Sequence, residues 1–257
     1  CRLDAGEPLE SMRALRGVVY KITGKELEAS PEVFSQHFPA EMLPDYGEAS
    51  GAAEVFAESF ARRMANADPY TGKALVEGYG GQTVVKNPPD FPLSVGELDA
   101  VYELPYSREP HPSYDRPIPA FDEVRFSLVS SRGCFGGCTF CALTFHQGRI
   151  VQGRSHQSLL REAHILTRRG DFKGYINDVG GPTANFRQPA CRKQAENGAC
   201  VDRQCLFAEH CPNSKPDHQS YLSLLGSLRR LPAVKQVFVR SGIRYDYLLA
   251  DTKTYFL

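Results

Sequence analysis

The sequence contains no tryptophan, has no net charge and lacks any long apolar run. Its 257 residues include 30 Lys and Arg against 30 Asp and Glu. Without Trp, indole stacking cannot contribute to ligand recognition. Because the charges balance, nothing in the composition favours nucleic acid as a partner, although it does not exclude one. No stretch approaches the ~20 apolar residues that cross a bilayer and no signal peptide is visible, so we expect a cytoplasmic protein without a membrane partner.

One loop also lacks acidic residues. No Asp or Glu occurs in residues 131–150, where Cys134, Cys138 and Cys141 form a C-x3-C-x2-C run. Three thiolates do not complete a structural zinc site, which takes four ligands, and an odd number leaves no natural disulfide pairing. A [4Fe–4S] cluster held by three cysteines fits this run better, with its fourth iron open to a small molecule.

The residues between and beside the cysteines agree with an anionic cluster and an anionic ligand. Three glycines allow the backbone to curl tightly, and their amides can point at sulfur; they are Gly133, Gly136 and Gly137. Arg132 and Arg149 flank the loop and suit a cluster plus a ligand carboxylate. The alternatives are a zinc ribbon that lacks one ligand and scattered buried cysteines.

Cys-x3-Cys-x-Phe-Cys, with Phe140 directly before the third cysteine, resembles the signature of the radical S-adenosylmethionine (SAM) superfamily. The resemblance implies that SAM chelates the open iron through its amino and carboxylate groups. It implies that the reduced cluster cleaves SAM to methionine and a 5′-deoxyadenosyl radical, which abstracts a hydrogen atom from the substrate. A reductant such as flavodoxin or ferredoxin is then a partner, and the substrate is unknown.

From residue 124 the pattern changes to strand, loop and helix, repeated three times. The predicted strands are 124–130, 173–179 and 234–239, and the predicted helices are 155–168, 218–230 and a third that begins at Tyr245. Strands that alternate with helices imply a parallel sheet. Three such units are half of the six-stranded partial barrel that the resemblance implies. We therefore expect an α/β fold, a partial (β/α) barrel preceded by a mixed α/β N-terminal region.

The sequence predicts three regions: an N-terminal mixed α/β region, residues 1–104; a proline-rich linker, 105–123; and the first half of the radical SAM core, 124–257. Within the first region we expect helices over 7–21 and 52–64, a hairpin of strands 74–79 and 82–86, and a helix opened by a Ser94–Glu97 capping box. The linker packs through its aromatics or contacts substrate or RNA. The chain stops inside an apolar stretch, so we expect the remaining half-barrel to follow Leu257.

Ligands of such barrels bind at the C-terminal ends of the strands. The second predicted strand ends in Gly180-Gly181, which resembles the superfamily's GGE element, whose backbone approaches the amino group of SAM. Pro182 replaces the family's acidic residue, and a plain turn is the alternative interpretation of the glycines. After the third strand, three side chains suit the carboxylate and ribose of SAM, or are solvated groups at a strand end: Arg240, Ser241 and Arg244.

A polar insertion, residues 185–217, carries a second cysteine set: Cys191, Cys200, Cys205 and Cys211. Four thiols can be organised by zinc or by a second iron–sulfur cluster, and two disulfides are the alternative. The run GGPTAN, these cysteines and SGxRYD together resemble the YgiQ family of radical SAM proteins, a resemblance that covers about residues 85–257 and names no reaction. No D-x-H-x-x-G cobalamin motif occurs. Cys1 stands apart and is assigned no role.

Two other classes of protein fit the same cysteines. One is a non-enzymatic binding module in which both sets are structural zinc sites. The other keeps a cluster for electron transfer or redox sensing and does not bind SAM.

Overall fold

The computed structural model describes residues 2–30 and 32–253. It divides the chain into two compact units, Cys1–Pro92 and Leu93–Leu257. Each unit combines helices with strands, so the expected mixed α/β class is confirmed. Among the helices of the described residues, none has the length and apolar character that a membrane span requires.

The first unit contains a four-stranded sheet in the order β1-β4-β3-β2. Its strands are β1 (Val19–Thr23), β2 (Ala40–Met42), β3 (Ala74–Tyr79) and β4 (Gln82–Lys86). The predicted hairpin is confirmed, because β3 and β4 pair antiparallel with Tyr79 opposite Gln82. Gly80 and Gly81 both have positive φ, as a tight hairpin turn between twisted strands requires.

The helices of the first unit are α1 (Gly24–Ala29), α2 (Tyr46–Gly51) and α3 (Ala53–Ala65). The helix predicted over 52–64 is confirmed as α3. The helix predicted over 7–21 is wrong: a short 3₁₀ helix, Leu9–Ala14, ends before Gly17, whose φ is 72°, and β1 follows. Val19 pairs with Lys86 of β4, so sheet pairing overrides the helical spacing of the apolar residues.

The second unit begins with α4 (Val95–Tyr102), and the predicted capping box is confirmed, since Ser94 Oγ accepts a hydrogen bond from the Glu97 N–H at 3.3 Å. The remaining helices are α5 (Pro119–Val124), α6 (Leu143–Gln147), α7 (His156–Thr167), α8 (Arg192–Asn197), α9 (Gln219–Arg229) and α10 (Tyr245–Leu249). The strands are β5 (Ser127–Val129), β6 (Ser131–Arg132), β7 (Gln152–Gly153), β8 (Tyr175–Ile176), β9 (Asp178–Gly180) and β10 (Gln236–Val237).

Parallel pairing joins the three predicted strands of this unit. β5 pairs with β9, and β8 pairs with β10. The strand predicted over 173–179 is therefore divided into β8 and β9 at Asn177, whose N–H donates to the Phe126 carbonyl and whose side chain donates to the Glu123 carbonyl. Helices α7 and α9 supply the apolar side chains that cover these strands. Together they form a buried core that includes Leu128, Leu159, Ile176, Val179, Leu224 and Leu228.

Candidate cofactor and metal site

The loop that carries the first cysteine set is closed at its base. Strands β6 and β7 pair antiparallel there, and the Arg154 N–H donates to the Ser130 carbonyl at 3.0 Å. The guanidinium of Arg187 donates to the same Ser130 carbonyl at 2.8 Å and to the Arg154 carbonyl at 2.7 Å. Burial lowers the pKa of Arg187 to about 10, so it remains charged at neutral pH. Arg187 thus ties the two ends of the loop together.

Arg154 itself is buried and holds α7 against β5. Its Nη1 donates to the Glu162 carboxylate at 2.6 Å and to the Val129 carbonyl at 3.1 Å. Its Nε and Nη2 donate to Ser158 Oγ, and the guanidinium lies 4.0 Å from the centre of the Tyr102 ring. Every nitrogen of this buried cation therefore has a hydrogen-bond acceptor.

Cys134 is the most buried cysteine of the loop. Its Sγ accepts a hydrogen bond from the Gly136 N–H at 3.4 Å and lies 3.8 Å from Thr183 Oγ1. Its own N–H donates to the Gly148 carbonyl at 2.9 Å. Amide donors that point at a ligand sulfur are what a thiolate-held cluster uses to tune its potential.

Cys138 and Cys141 are partly exposed, and the Cys141 N–H donates to the Cys138 carbonyl at 3.1 Å. Nη1 of Arg244 donates to Cys138 Sγ at 3.1 Å, so this arginine reaches the cysteine loop. Phe140 projects from the loop with 90% of its surface exposed. Within residues 2–30 and 32–253, no three His, Cys, Asp or Glu side chains lie close enough together to hold a metal ion.

The loop glycines have the local geometry that the sequence predicts. Gly133 and Gly137 have positive φ, a conformation that side chains rarely tolerate. A Cβ on Gly136 would lie 2.9 Å from Arg244 Nη1 and 3.3 Å from Cys134 Sγ. A side chain at this position would therefore crowd both groups. Three thiols, N–H donors to sulfur and no carboxylate make a donor set that fits an anionic iron–sulfur cluster.

The Gly180-Gly181 pair lies at the end of β9, where the chain crosses the start of the cysteine loop. The Ser130 N–H donates to the Gly180 carbonyl at 2.6 Å. A Cβ on Gly181 would lie 2.6 Å from the Ser131 carbonyl oxygen, and one on Gly180 would lie 2.6 Å from Ser241 Cβ. Close packing therefore accounts for both glycines, and their contact with SAM stays a prediction.

The end of the third strand is held by Asp178. Its Oδ1 accepts hydrogen bonds from the Arg240 N–H at 2.8 Å and the Ser241 N–H at 3.3 Å, and its Oδ2 accepts one from the Ser241 hydroxyl. The Arg240 side chain donates to Glu123 at 2.8 Å. Arg240 and Ser241, two of the three side chains predicted here to bind SAM, thus have protein partners, and Asp178 positions the backbone that carries them.

The second cysteine set lies around α8. The Gln194 N–H donates to Cys191 Sγ at 3.5 Å, Lys193 Nζ donates to Cys200 Sγ at 3.2 Å, and the Gln194 side chain donates to Cys205 Sγ at 3.9 Å. Burial raises the pKa of Cys205 to about 11, and the other three thiols of the set contribute to this rise. The four thiols are therefore near enough to interact electrostatically.

Two buried polar atoms flank the last cysteine of this set, Cys211. Among the described residues, His210 Nε2 and Ser214 Oγ are buried without a hydrogen-bond partner. Burying a polar atom without a partner costs free energy, and a bound ion or an ordered water commonly offsets that cost. Either a water or an ion would satisfy these two atoms.

The two cysteine sets share one small hydrophobic cluster, which we call the cysteine core. Its buried members are Cys134, Phe135, Val151, Phe186, Ala190, Leu206 and Tyr247, and Cys205 packs against it. The Phe135 and Phe186 rings stack at 3.9 Å between centroids. Arg149 adds a polar link, since its guanidinium donates to the Cys200 carbonyl at 2.6 Å and to the Arg203 carbonyl at 3.0 Å. The sequence predicts each set but not their contact.

A buried network that no sequence pattern predicts lies behind Arg244. The Asn185 amide bonds both the N–H and the carbonyl of Arg244, at 3.0 and 3.2 Å. Its Nδ2 also lies 2.9 Å from His218 Nε2, and His218 Nδ1 lies 2.8 Å from Asp251 Oδ2. No short motif marks these residues, because they are scattered along the second half of the chain.

Comparison with known proteins finds relatives for most of the chain. A family model described as Radical SAM N-terminal matches residues 1–127. A UPF0313 protein of Clostridium perfringens strain 13 is 50% identical over 222 residues, which are 86% of this chain and 33% of that protein. A UPF0313 protein of Clostridium botulinum strain Okra is 47% identical over 251 residues, 97% of this chain and 38% of that protein. The chain thus spans about a third of the length of these curated relatives. No solved structure matches it.

Proposed function

Since the chain belongs to the radical SAM superfamily, in its YgiQ-like family, we propose that it is part of an enzyme whose [4Fe–4S] cluster is held by Cys134, Cys138 and Cys141. Membership implies such a cluster and SAM in general, and the names of the relatives give no reaction. The observation that carries the proposal is the closed, acid-free cysteine loop, in which the Gly136 N–H donates to Cys134 Sγ and to which Arg244 donates at Cys138 Sγ.

When bound, the cluster supplies the electron that cleaves SAM to methionine and a 5′-deoxyadenosyl radical, which abstracts hydrogen from a substrate that remains to be identified. The residues of this chain bind SAM and orient it. Gly180 and Gly181 offer backbone groups to the amino group of SAM, and Phe140 offers an apolar face beside the third cysteine. Arg240 and Ser241 are the polar candidates for the carboxylate and ribose of SAM.

The parallel pairing of β5 with β9 and of β8 with β10 supports the first half of a (β/α) barrel as the frame of this site. The strand ends then bring the cysteine loop, the glycine pair and the Arg240–Arg244 segment to one edge, where ligands of such folds bind. A flavodoxin or ferredoxin in the cytoplasm is the proposed electron donor.

We extend the proposal to a second metal centre at Cys191, Cys200, Cys205 and Cys211. Support comes from the grouping of this set around α8, where the sulfurs of Cys191, Cys200 and Cys205 each accept a hydrogen bond from Lys193 or Gln194. Four thiolates suit zinc or an iron–sulfur cluster equally.

The test uses the whole protein, purified without oxygen. Iron and zinc are counted per chain, and EPR spectra of the reduced protein are recorded with and without SAM. We expect a [4Fe–4S] signal that SAM shifts, lost in Cys138→Ala and kept in Cys1→Ala, the matched control, which removes a cysteine outside both sets. Zinc without iron would overturn the proposal in favour of a metal-stabilised binding module, and iron without a response to SAM would favour electron transfer.

A further inference from the structure

We infer that Arg244 acts on the sulfur of Cys138 rather than on SAM, and that Asn185 and His218 position it there. The inference deepens the proposed function, because it rests on Cys138 as a cluster ligand. It gives Arg244 a task in setting the reduction potential of that cluster.

The guanidinium of Arg244 is divided between two partners. Its Nε donates to Asp246 Oδ1 at 2.9 Å and its Nη2 donates to Oδ2 of the same carboxylate. Nη1 is left to donate to Cys138 Sγ at 3.1 Å and to the Gly136 carbonyl at 3.3 Å. Bidentate recognition of a ligand carboxylate takes two parallel N–H groups of the fork, and Asp246 occupies that side of Arg244. A guanidinium is charged at any working pH, so the group that contacts Cys138 is a cation.

The backbone of Arg244 is held with equal specificity. Asn185 Oδ1 accepts from the Arg244 N–H at 3.0 Å, and Asn185 Nδ2 donates to the Arg244 carbonyl at 3.2 Å. The second hydrogen of Nδ2 is directed at His218 Nε2, 2.9 Å away. One orientation of the amide satisfies all three contacts, because Oδ1 can only accept and Nδ2 can only donate.

His218 completes the support by fixing the Asn185 amide. Since Nε2 accepts from Asn185, the ring proton lies on Nδ1, which donates to Asp251 Oδ2 at 2.8 Å. The side chains of His218 and Asp251 are almost fully buried, and the Tyr247 ring of the cysteine core packs against the imidazole at 5.2 Å between centroids. A buried, satisfied network of this kind holds one geometry, and here that geometry aims Nη1 of Arg244 at Cys138.

The electrostatic consequence has a definite sign. Reduction adds negative charge to a cluster, and hydrogen bonds to its sulfurs are among the factors that set its potential. A guanidinium N–H on a ligand sulfur stabilises the reduced form and raises the midpoint potential. Loss of this contact therefore makes the cluster harder to reduce.

The experiment is an EPR-monitored redox titration of the whole protein without SAM, comparing wild type with Arg244→Gln. We expect a more negative midpoint potential, by up to about a tenfold change in the reduction equilibrium, or 59 mV for one electron. Arg169→Gln is the matched control. Arg169 likewise bonds the carboxylate two residues on, in Asp171, through Nε and Nη2, and its loss should leave the potential unchanged.

Asn185→Ala tests the positioning residues. It should move the potential in the same direction as Arg244→Gln, although Arg244 is still present. Its control is Asn87→Ala, another buried amide whose Nδ2 donates to two backbone carbonyls, those of Arg13 and Leu15, in the first unit. If Asn185→Ala does not fold, His218→Gln replaces it, and the Arg244→Gln result still decides.

The outcomes separate this inference from the proposed function. An unchanged potential with weakened SAM binding in Arg244→Gln would overturn the inference and make Arg244 a SAM ligand. If SAM does not change the EPR signal of the wild-type cluster, the proposed function is overturned. A shifted midpoint potential in Arg244→Gln would still support the role of Arg244. A wild-type protein that takes up no iron would overturn both.

Discussion

Replacing Arg154 by Met should destabilise the second unit by about 3 kcal/mol, the lower end of the range of about 3–5 kcal/mol for breaking a buried ion pair. Its side chain is 1% exposed and that of Glu162 is 16% exposed. The substitution leaves the Glu162 carboxylate and the Val129 carbonyl without their Arg154 donor. Arg108, 3.5 Å from the other carboxylate oxygen of Glu162, compensates in part, and this places the expected cost at the lower end.

The matched control is Arg192→Met, which removes an arginine from a pair with Glu196 whose side chains are 86% and 52% exposed. An exposed pair of this spacing contributes about 0.3–0.5 kcal/mol. Hydrogen exchange of the α7 amides measures the stability of the second unit in both variants. In Arg154→Met/Glu162→Leu we expect only part of the loss to be recovered, because no carboxylate is left without Arg154 but Arg108 loses its ion pair with Glu162. Equal protection of α7 in the two single variants would refute the reasoning.

Two further changes test the packing and the metals. Gly181→Ala should destabilise the protein by about 1–3 kcal/mol, because its Cβ would meet the Ser131 carbonyl, which cannot rotate away. Gly226→Ala in α9, where no atom lies nearer than 3.5 Å, should instead stabilise it by about 0.5–1 kcal/mol. Thermal denaturation that shifts both variants in the same direction would contradict this. Removal of bound metal by a chelator should abolish hydrogen-exchange protection in residues 185–217, while the α7 amides stay protected. Cys211→Ser should have the same effect on residues 185–217. Unchanged protection of these residues would count against the second metal centre.

Elements with local signals could be predicted from the sequence. Helix α7 begins directly after Ser155, whose Oγ accepts from the Ser158 N–H as an N-cap does. The hairpin of β3 and β4 turns at Gly80 and Gly81, between the two predicted strands. In both cases the residues that decide the structure lie within a few positions of each other.

Elements that depend on distant partners could not be predicted in the same way. The apolar residues before Val19 have helical spacing, yet Val19 pairs with Lys86, a residue far along the chain. Asn177 divides a predicted strand because its N–H bonds the Phe126 carbonyl. Periodicity reports which face of an element is apolar, but it does not name the segment that will pair with it.

In the candidate site, too, local features could be predicted from the sequence and contacts between distant residues could not. The three cysteines, the glycines between them and the flanking arginines are contiguous, and the sequence alone indicates their chemistry. The contact of Arg244 with Cys138 joins residues 106 positions apart, and that of Asn185 with Arg244 joins residues 59 apart. No motif spacing links residues so far apart. From the sequence alone, the position of Arg244 after a strand predicts a SAM ligand instead.

The position of Arg149 changes how the two cysteine sets are understood. In the sequence it flanks the cysteine loop and suits the cluster or its ligand, yet it bonds the Cys200 and Arg203 carbonyls of the insertion. Cys134 is a member of the cysteine core and Cys205 packs against it, so the insertion lies beside the cysteine loop. Under the proposed function, a metal that orders the insertion would therefore also order the loop that holds the catalytic cluster. The second centre then contributes to the site through packing, whichever metal it binds.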